Sequence, residues 1–259
     1  MECKVANMLS KNKISEIRKL HLKKFRTKEC LFIAEGEKVV KELLWAKYPV
    51  HEIYATEKWI APTSTILPRE VHRVTDKEME RLTCFKDPSP VLAIVKQMDT
   101  TTPDTNFSEF HPLLLLDGIR DPGNMGTIIR IADWFGFKQI LCSPDSVEYT
   151  NPKVIQASMG SFCRVQIGYT LLPDFLKQQS DKRQIYGAFL TGTAIEKVDF
   201  SPYDILIIGS ETRGISPELL PFIHQKITIP AGKSGQTESL NAAIATAIIL
   251  YEWNRKYVY

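Results

Sequence analysis

The sequence predicts an α/β protein with an open, mostly parallel sheet in its C-terminal part, preceded by a smaller α/β domain. Three observations predict it. Apolar runs such as Leu113–Leu116 and Ile205–Ile208 are short and continuous, as suits strands buried on both faces. Amphipathic helical patterns alternate with these runs. The segment Lys96–Pro112 (KQMDTTTPDTNFSEFHP) lacks apolar periodicity and is rich in Thr, Asp and Pro, which marks a linker. It divides the chain into residues 1–107 and 108–259.

In the first part, residues 10–26 place Ile14, Ile17, Leu20 and Phe25 near one face of a helix that Ser10 can cap. Strands follow at Leu31–Ala34, Val50–Ala55, Val71–Val74 and Val91–Val95. A helix runs through Val39, Val40, Leu43 and Leu44, and a turn-rich piece holds Pro62 and Pro68. Thr75, with Glu78 three residues on, has capping-box spacing, in which each side chain satisfies an orphan backbone N–H of the other. In the second part, strands are expected at Leu113–Leu116, Gln139–Cys142, Cys163–Ile167, Ile185–Leu190, Ile205–Ile208 and Ile227–Ile229. Asn124 can cap a helix running to about Phe135, with Ile128, Ile129 and Ala132 on its apolar face and Arg130 off it. Asn151-Pro152 and Ser216-Pro217 each pair a cap with a first-turn proline. A last helix spans about Glu238 to Arg255, with Leu240, Ile244, Ile248 and Tyr251 along one face and the first three of these as core residues. Trp134 suits either an exposed aromatic at a dimer or RNA surface or a core position.

With 44% apolar and 24% charged residues, the composition is that of an ordinary globular chain. No apolar run approaches the ~20 residues that a membrane helix needs. The N-terminal MECKVANMLSKNK lacks the apolar core and cleavage site of a secretory signal. The cysteines (Cys3, Cys30, Cys84, Cys142 and Cys163) are scattered and never spaced as CxxC. Free thiols in a reducing, cytoplasmic setting are the expectation. Histidine spacings of the HxxxH or HxxE type do not occur, so no bound metal is expected. The net charge is only +3, yet residues 1–30 carry nine Lys and Arg against three Glu. Such a basic segment suits either a phosphate backbone or a solvated helix face.

Polar clusters follow three of the strands: Asp117–Arg130, Gly209–Ser216 and Pro230–Asn241. Loops beyond the carboxyl ends of strands are where open α/β sheets bind ligands. Gly232-Lys233-Ser234 ends like a P-loop, but Ile227 stands where the first glycine is required. The dinucleotide pattern fails as well, because Asp121 precedes the Gly123–Gly126 pair where a glycine is needed.

The stretches LLLLDGIRDPGNMGTIIRIADWFGF, LIIGSETRGIS and ITIPAGKSGQTESLNAAIATAIILYEW resemble, in this order, the three motifs of the SpoU (TrmH) RNA ribose 2′-O-methyltransferases of the SPOUT superfamily. The resemblance covers the whole second part. The N-terminal MLSKNKISEIRKLHLKKFRTKECLFIAEGEKVVKELL is similar to the RNA substrate-binding domain fused to many members, more often rRNA than tRNA enzymes. The resemblance implies S-adenosylmethionine as methyl donor, a ribose 2′-hydroxyl as acceptor, a C-terminal trefoil knot and a homodimer. It implies that Gly209, Ile229 and Leu240 contact the donor through their backbone, helped by Leu190, Thr191 and Gly192, with Glu211, Gly214 and Ser239 beside them. Arg130, Glu211, Ser239 and Asn241 are the implied catalytic positions. Asn124, Arg130, Lys19, Lys23 and Lys24 are expected to face RNA. The motifs carry Arg213 as an added charge near the donor site.

Methyl transfer to a hydroxyl is an in-line displacement that depends on positioning and requires no metal. Arginine is a poor base, since a guanidinium ordinarily holds its proton above pH ~12. Arg130 therefore either is activated by its surroundings or holds phosphate while Ser239 or water takes the proton, and the second role is favoured. The competing reading is a non-catalytic protein that grips structured RNA during ribosome assembly.

Overall fold

The computed structural model describes residues 9–63, 71–98, 111–232, 234–235 and 237–258. The expected boundary near residue 108 lies outside the described residues. The chain forms two compact units. One comprises the described part of Met1–Met98 together with Thr150–Cys163, and the other Asp99–Tyr149 with Arg164–Tyr259.

In the first unit, the amphipathic stretch after Ser10 is two helices, α1 (Lys11–Lys19) and α2 (Lys23–Glu29), rather than one. The Ser10 side chain caps α1 as expected, accepting from the Lys13 N–H. At the break stands Arg26, which is buried. Its Nη1 donates to the carbonyls of Leu20 at 2.9 Å and His21 at 2.8 Å, satisfying groups that a continuous helix would have used. The sheet is formed by β1 (Leu31–Glu35), β2 (Val50–Ala55), β3 (His72–Arg73) and β4 (Val91–Lys96), in the order β1-β4-β2-β3. Helices α3 (Glu37–Trp45), α4 (Glu57–Thr63) and α5 (Asp76–Leu82) complete the first part of the chain. The sequence reading has a turn where α4 forms, because Pro62 falls inside that helix. The Thr75–Glu78 capping box is present.

The segment Thr150–Cys163 carries α7 (Pro152–Ser158), capped by Asn151. Helix α7 packs on β1, and Phe162 meets Phe32 and Tyr48 edge to face, with ring centroids 5.8 and 5.6 Å apart. Residues 161–163 form a 3₁₀ turn, so the strand expected from Cys163 begins later, at Gln166.

The second unit is built on a six-stranded sheet in the order β10-β8-β9-β5-β6-β7, all of its pairings parallel. Its strands are β5 (Leu113–Asp117), β6 (Gln139–Cys142), β7 (Gln166–Tyr169), β8 (Ile185–Ala194), β9 (Ile205–Gly209) and β10 (Gln225–Thr228). Leu113–Leu116 and Ile205–Ile208 are buried in its centre, as the unbroken apolar runs require. Its helices are α6 (Pro122–Trp134), α8 (Leu172–Gln179) and α9 (Ala242–Val258), and α6 packs against α9. Residues 217–222 form a 3₁₀ helix. No described helix is long and apolar enough to cross a membrane.

Two expectations about these helices are corrected. Helix α6 is capped by Asp121, not Asn124: the Asp121 carboxylate accepts the Asn124 N–H at 2.8 Å, and Pro122 occupies the first turn. Helix α9 starts at Ala242, not Glu238, because Asn241 caps it. Its buried side is Ala242, Ala243, Thr246, Ile249, Leu250 and Trp253, whereas Leu240, Ile244 and Tyr251 are 46, 51 and 59% exposed. The strong apolar character of this helix hid which side faces inward. Trp134 is also exposed, at 83%.

Replacing Arg26 by Met keeps the buried stem and removes the donors to Leu20 and His21. The expected loss is about 2 kcal/mol of stability, read as a lower urea midpoint with an unchanged slope.

Candidate functional site

The site is organised by the parallel register of β5 and β9. Leu113 pairs with Ile205, and the register runs without a break to Asp117 opposite Gly209. Both strands therefore end at the same level, and the loops that leave them start side by side. Asp117 is buried, and its Oδ2 accepts the Ser216 N–H at 2.6 Å, tying the end of the second loop to the start of the first. Gly209 is required by a close approach: a Cβ there would collide with the Gly214 carbonyl and the Ile215 nitrogen. The turn is closed by the Gly214 N–H on the Ser210 carbonyl at 2.8 Å.

Because Asp121 performs the capping of α6, the side chain of Asn124 is free for another task. Its Nδ2 donates to Glu211 Oε1, and its Oδ1 accepts from Asn241 Nδ2 at 2.9 Å. Asn241 Oδ1 in turn accepts the N–H groups of Ala243 at 3.0 Å and Ile244 at 3.3 Å. The helix cap fixes which way the Asn241 amide points, Asn241 then orients Asn124, and Asn124 aims at the Glu211 carboxylate. One hydrogen-bonded row thus joins the three loops whose motifs are far apart in the chain.

Beside it, β8 carries an excursion. Its register with β10 passes from Gly187 opposite Lys226 to Thr193 opposite Ile227, so residues 188–192 leave the ladder. The strand therefore extends to Ala194, beyond the expected end at Leu190. Thr228 Oγ1 holds the Leu190 carbonyl at 3.0 Å, and Leu190, 72% exposed, is followed by exposed Thr191 and Gly192. Ile229 lies one residue past β10, and Leu240 adjoins the Asn241 cap. The strands β10, β8 and β9 are neighbours, so these loops share one edge of the sheet. Exposed apolar side chains beside backbone groups outside any ladder suit a ligand with an apolar face and several polar edges. S-adenosylmethionine, with its adenine ring and its amino and carboxylate ends, fits that description.

The structure brings Asn124, Glu211 and Asn241 together. It does not join Arg130 or Ser239 to them: both are exposed, and neither side chain has a hydrogen bond or ion pair with a described residue. Arg130 shares an exposed side of α6 with Thr127 and Trp134. In the first unit Lys19, Lys23 and Lys24 are exposed, with the Lys19 and Lys24 ammonium groups 5.8 and 4.9 Å from the Phe25 ring centre.

Sequence reasoning missed Ser143 and Asp145, and it included Asp117 and Arg120 only as part of the first polar cluster, without a role. Asp145 lies in the turn after β6. Its Oδ1 accepts from Ser143 Oγ at 2.7 Å, and its Oδ2 accepts from Arg213 at 2.8 Å and Arg120 at 2.9 Å. The Ser143 hydroxyl, then the two guanidinium groups, hold its carboxyl down at about 2, against the partial burial that opposes them. A Ser-Pro-Asp turn was the only local signal, and it says nothing of partners 25 and 68 residues away.

Comparison with known proteins identifies the family. The model of the SpoU rRNA methylase family matches residues 111–251, and that of the MRM3-like substrate-binding domain matches residues 11–93. The 23S rRNA (guanosine(2553)-2′-O)-methyltransferase RlmP of Bacillus subtilis is 28% identical over 241 residues, covering 92% of this chain and 94% of that protein. A structure from Porphyromonas gingivalis, described as an RNA methyltransferase of the TrmH family, superposes with a TM-score of 0.86 at 37% identity, covering 96% of this chain and all of that one. An AdoMet-bound rRNA methyltransferase from Sinorhizobium meliloti gives a TM-score of 0.84 at 28% identity, covering 98% and 97% of the two chains.

A carboxyl group held down by its neighbours keeps its contacts above its ordinary pKa and loses them as pH falls through the lowered one. Carbon-13 NMR should therefore place the Asp145 midpoint near about 2, and Arg213→Gln should move it towards the ordinary 3.8. A wild-type midpoint at the ordinary value would mean that the arginines do not hold this carboxylate in solution.

Proposed function

The chain belongs to the SpoU rRNA methylase family, and on that premise we propose that it transfers a methyl group from S-adenosylmethionine to a ribose 2′-hydroxyl of ribosomal RNA. The observation that carries the reading is the hydrogen-bonded row Asn241–Asn124–Glu211, which links all three family motifs at one edge of the sheet. A protein that only grips RNA has no need to hold these groups in one fixed row.

The donor would be held by Leu190–Gly192, Gly209, Glu211, Gly214, Ile229 and Ser239–Leu240, and would supply an electrophilic methyl carbon on a sulfonium sulfur. The chain's own residues then have to orient a weakly acidic hydroxyl in line with that carbon and accept its proton. Arg130, exposed and unpaired among the described residues, is available to hold a substrate phosphate and so orient the ribose. Ser239 or a water molecule takes the proton. Glu211, held by Asn124, and Asn241 line the site and keep its loops in place. Lys19, Lys23 and Lys24, in the part matching a substrate-binding domain, hold RNA through its phosphates. The functional division follows the sequence, with RNA binding in residues 1–107 and methyl transfer in 108–259.

We also infer a homodimer and a C-terminal trefoil knot. The exposed Trp134, Ile244 and Tyr251 on the mutually packed helices α6 and α9 support a dimer, since large apolar groups clustered at a surface mark contact sites. The strand order β10-β8-β9-β5, with α9 returning to α6, supports the threading. The cytoplasm is the inferred location.

Calorimetry should detect S-adenosylmethionine binding, and its absence at millimolar donor would sink the enzyme reading. Arg130→Ala should lower kcat by roughly 10²–10³-fold with donor affinity unchanged, as expected when a positioning group is lost. Arg130→Lys should remain impaired, and activity near wild type would remove any need for the guanidinium fork. Changing Lys19, Lys23 and Lys24 together to Gln should weaken RNA binding and flatten its salt dependence while sparing donor affinity. Loss of donor affinity in that variant would contradict the division of labour.

A further inference from the structure

Asp145 is more than a loop tie. Two arginines from different loops, Arg120 after β5 and Arg213 after β9, donate to the same carboxylate oxygen, at 2.9 and 2.8 Å. The other oxygen is occupied by Ser143, whose hydroxyl also accepts the Gly118 N–H at 2.8 Å. The carboxylate is thereby fixed from the sheet side. Gly118 has φ +68°, and a Cβ there would stand 2.8 Å from the Arg213 guanidinium, so the backbone leaves room for that group.

The charge count gives the cluster its direction. Two guanidinium groups facing one carboxylate leave one positive charge in excess. Both arginines are exposed, and among the described residues neither side chain has a partner besides Asp145. Each guanidinium carries five N–H donors, so most of them remain available. Each guanidinium is attracted to Asp145, but the two repel each other, and a second anion would offset that repulsion. A phosphodiester offers one negative charge and two unbridged oxygens, which match the excess charge and the two forks. The cluster also stands at the carboxyl ends of β5, β6 and β9; Arg120 immediately precedes α6, which carries Asn124, and Arg213 shares its loop with Glu211.

We propose that Arg120 and Arg213, spaced by Asp145, form a clamp for one phosphodiester of the RNA being methylated. The proposal rests on the RNA methyltransferase reading above and adds a substrate contact separate from Arg130 and from the lysines of the first unit. Asp145 acts as the positioning residue of the clamp. The donor's own carboxylate is the competing anion, and the test separates the two.

Arg120→Gln, Arg213→Gln and the double variant are made in the full chain. RNA affinity is measured with an unmodified large-subunit rRNA transcript across a potassium chloride series, and donor affinity by calorimetry. Each single change should weaken RNA binding severalfold and reduce the slope of log affinity against log salt by about 0.7–0.9, the signature of one lost phosphate contact. Donor affinity should not change. The double Arg→Lys variant keeps both charges but loses the forks, so it should retain the salt slope while binding RNA more weakly. This variant also keeps the test decisive if the Gln changes impair folding. Wild-type RNA affinity and slope in the double Gln variant would overturn the clamp. A loss of donor affinity in place of RNA affinity would reassign the arginines to the donor carboxylate and overturn it too. Failure of the wild-type protein to bind the transcript would overturn the methyltransferase reading, and the clamp with it.

Discussion

The β5–β9 register is the constraint on which the rest of the site depends. Asp117 and Gly209 end their strands opposite one another, and the contacts Asp117–Ser216 and Asn124–Glu211 join the segments they release. Magnitudes show what holds the register. Each fully buried Leu or Ile of Leu113–Leu116 and Ile205–Ile208 contributes about 1.5–3 kcal/mol relative to exposure. A typical hydrogen bond of the kind joining the loops contributes about 1 kcal/mol net. The apolar centre therefore sets where the loops begin, and the polar contacts refine how they lie. At the end of β9 a Cβ on residue 209 would collide with the Gly214 carbonyl, so the turn there requires glycine.

Within that frame several polar residues serve structure and site together. Asp121 takes over the capping of α6 and so releases Asn124 to reach Glu211. Asn241 caps α9 with its oxygen and uses its nitrogen to orient Asn124. A residue that both ends an element and points at the site couples the position of the site to the position of the helix. Arg26 illustrates the opposite case. It belongs to the basic N-terminal segment by sequence, but it is buried and spends its donors on the end of α1. Basic residues in that segment are thus not equivalent: Arg26 is buried, whereas Arg18, Lys19, Lys23 and Lys24 are exposed.

Much of the fold was legible because it rests on short-range patterns. Val50–Ala55 and Gln139–Cys142 lie where their apolar runs predicted, and the Thr75–Glu78 box depends on residues three apart. The failures have local causes as well. A helix containing Pro62 and a helix apolar on most sides, α9, both defeat periodicity. At the site, the motif positions Asn124, Glu211 and Asn241 were visible as residues, but the row they form was not. Arg120 lay within the first polar cluster with no role of its own, and Asp145 was not singled out, since neither lies in a pattern that assigns it a partner.

The sequence by itself determined the class of fold, the order of most strands and helices, the membership of a methyltransferase family and the polar positions at the strand ends. Tertiary structure alone decided who meets whom. Asp117 finds Ser216 across 99 residues, Asn124 finds Glu211 across 87, Asn241 finds Asn124 across 117, and Arg213 finds Asp145 across 68. Propensity and periodicity act over one or two turns of chain. Contacts at these separations exist only once burial has fixed the strand order and register, and that is a property of the packed sheet.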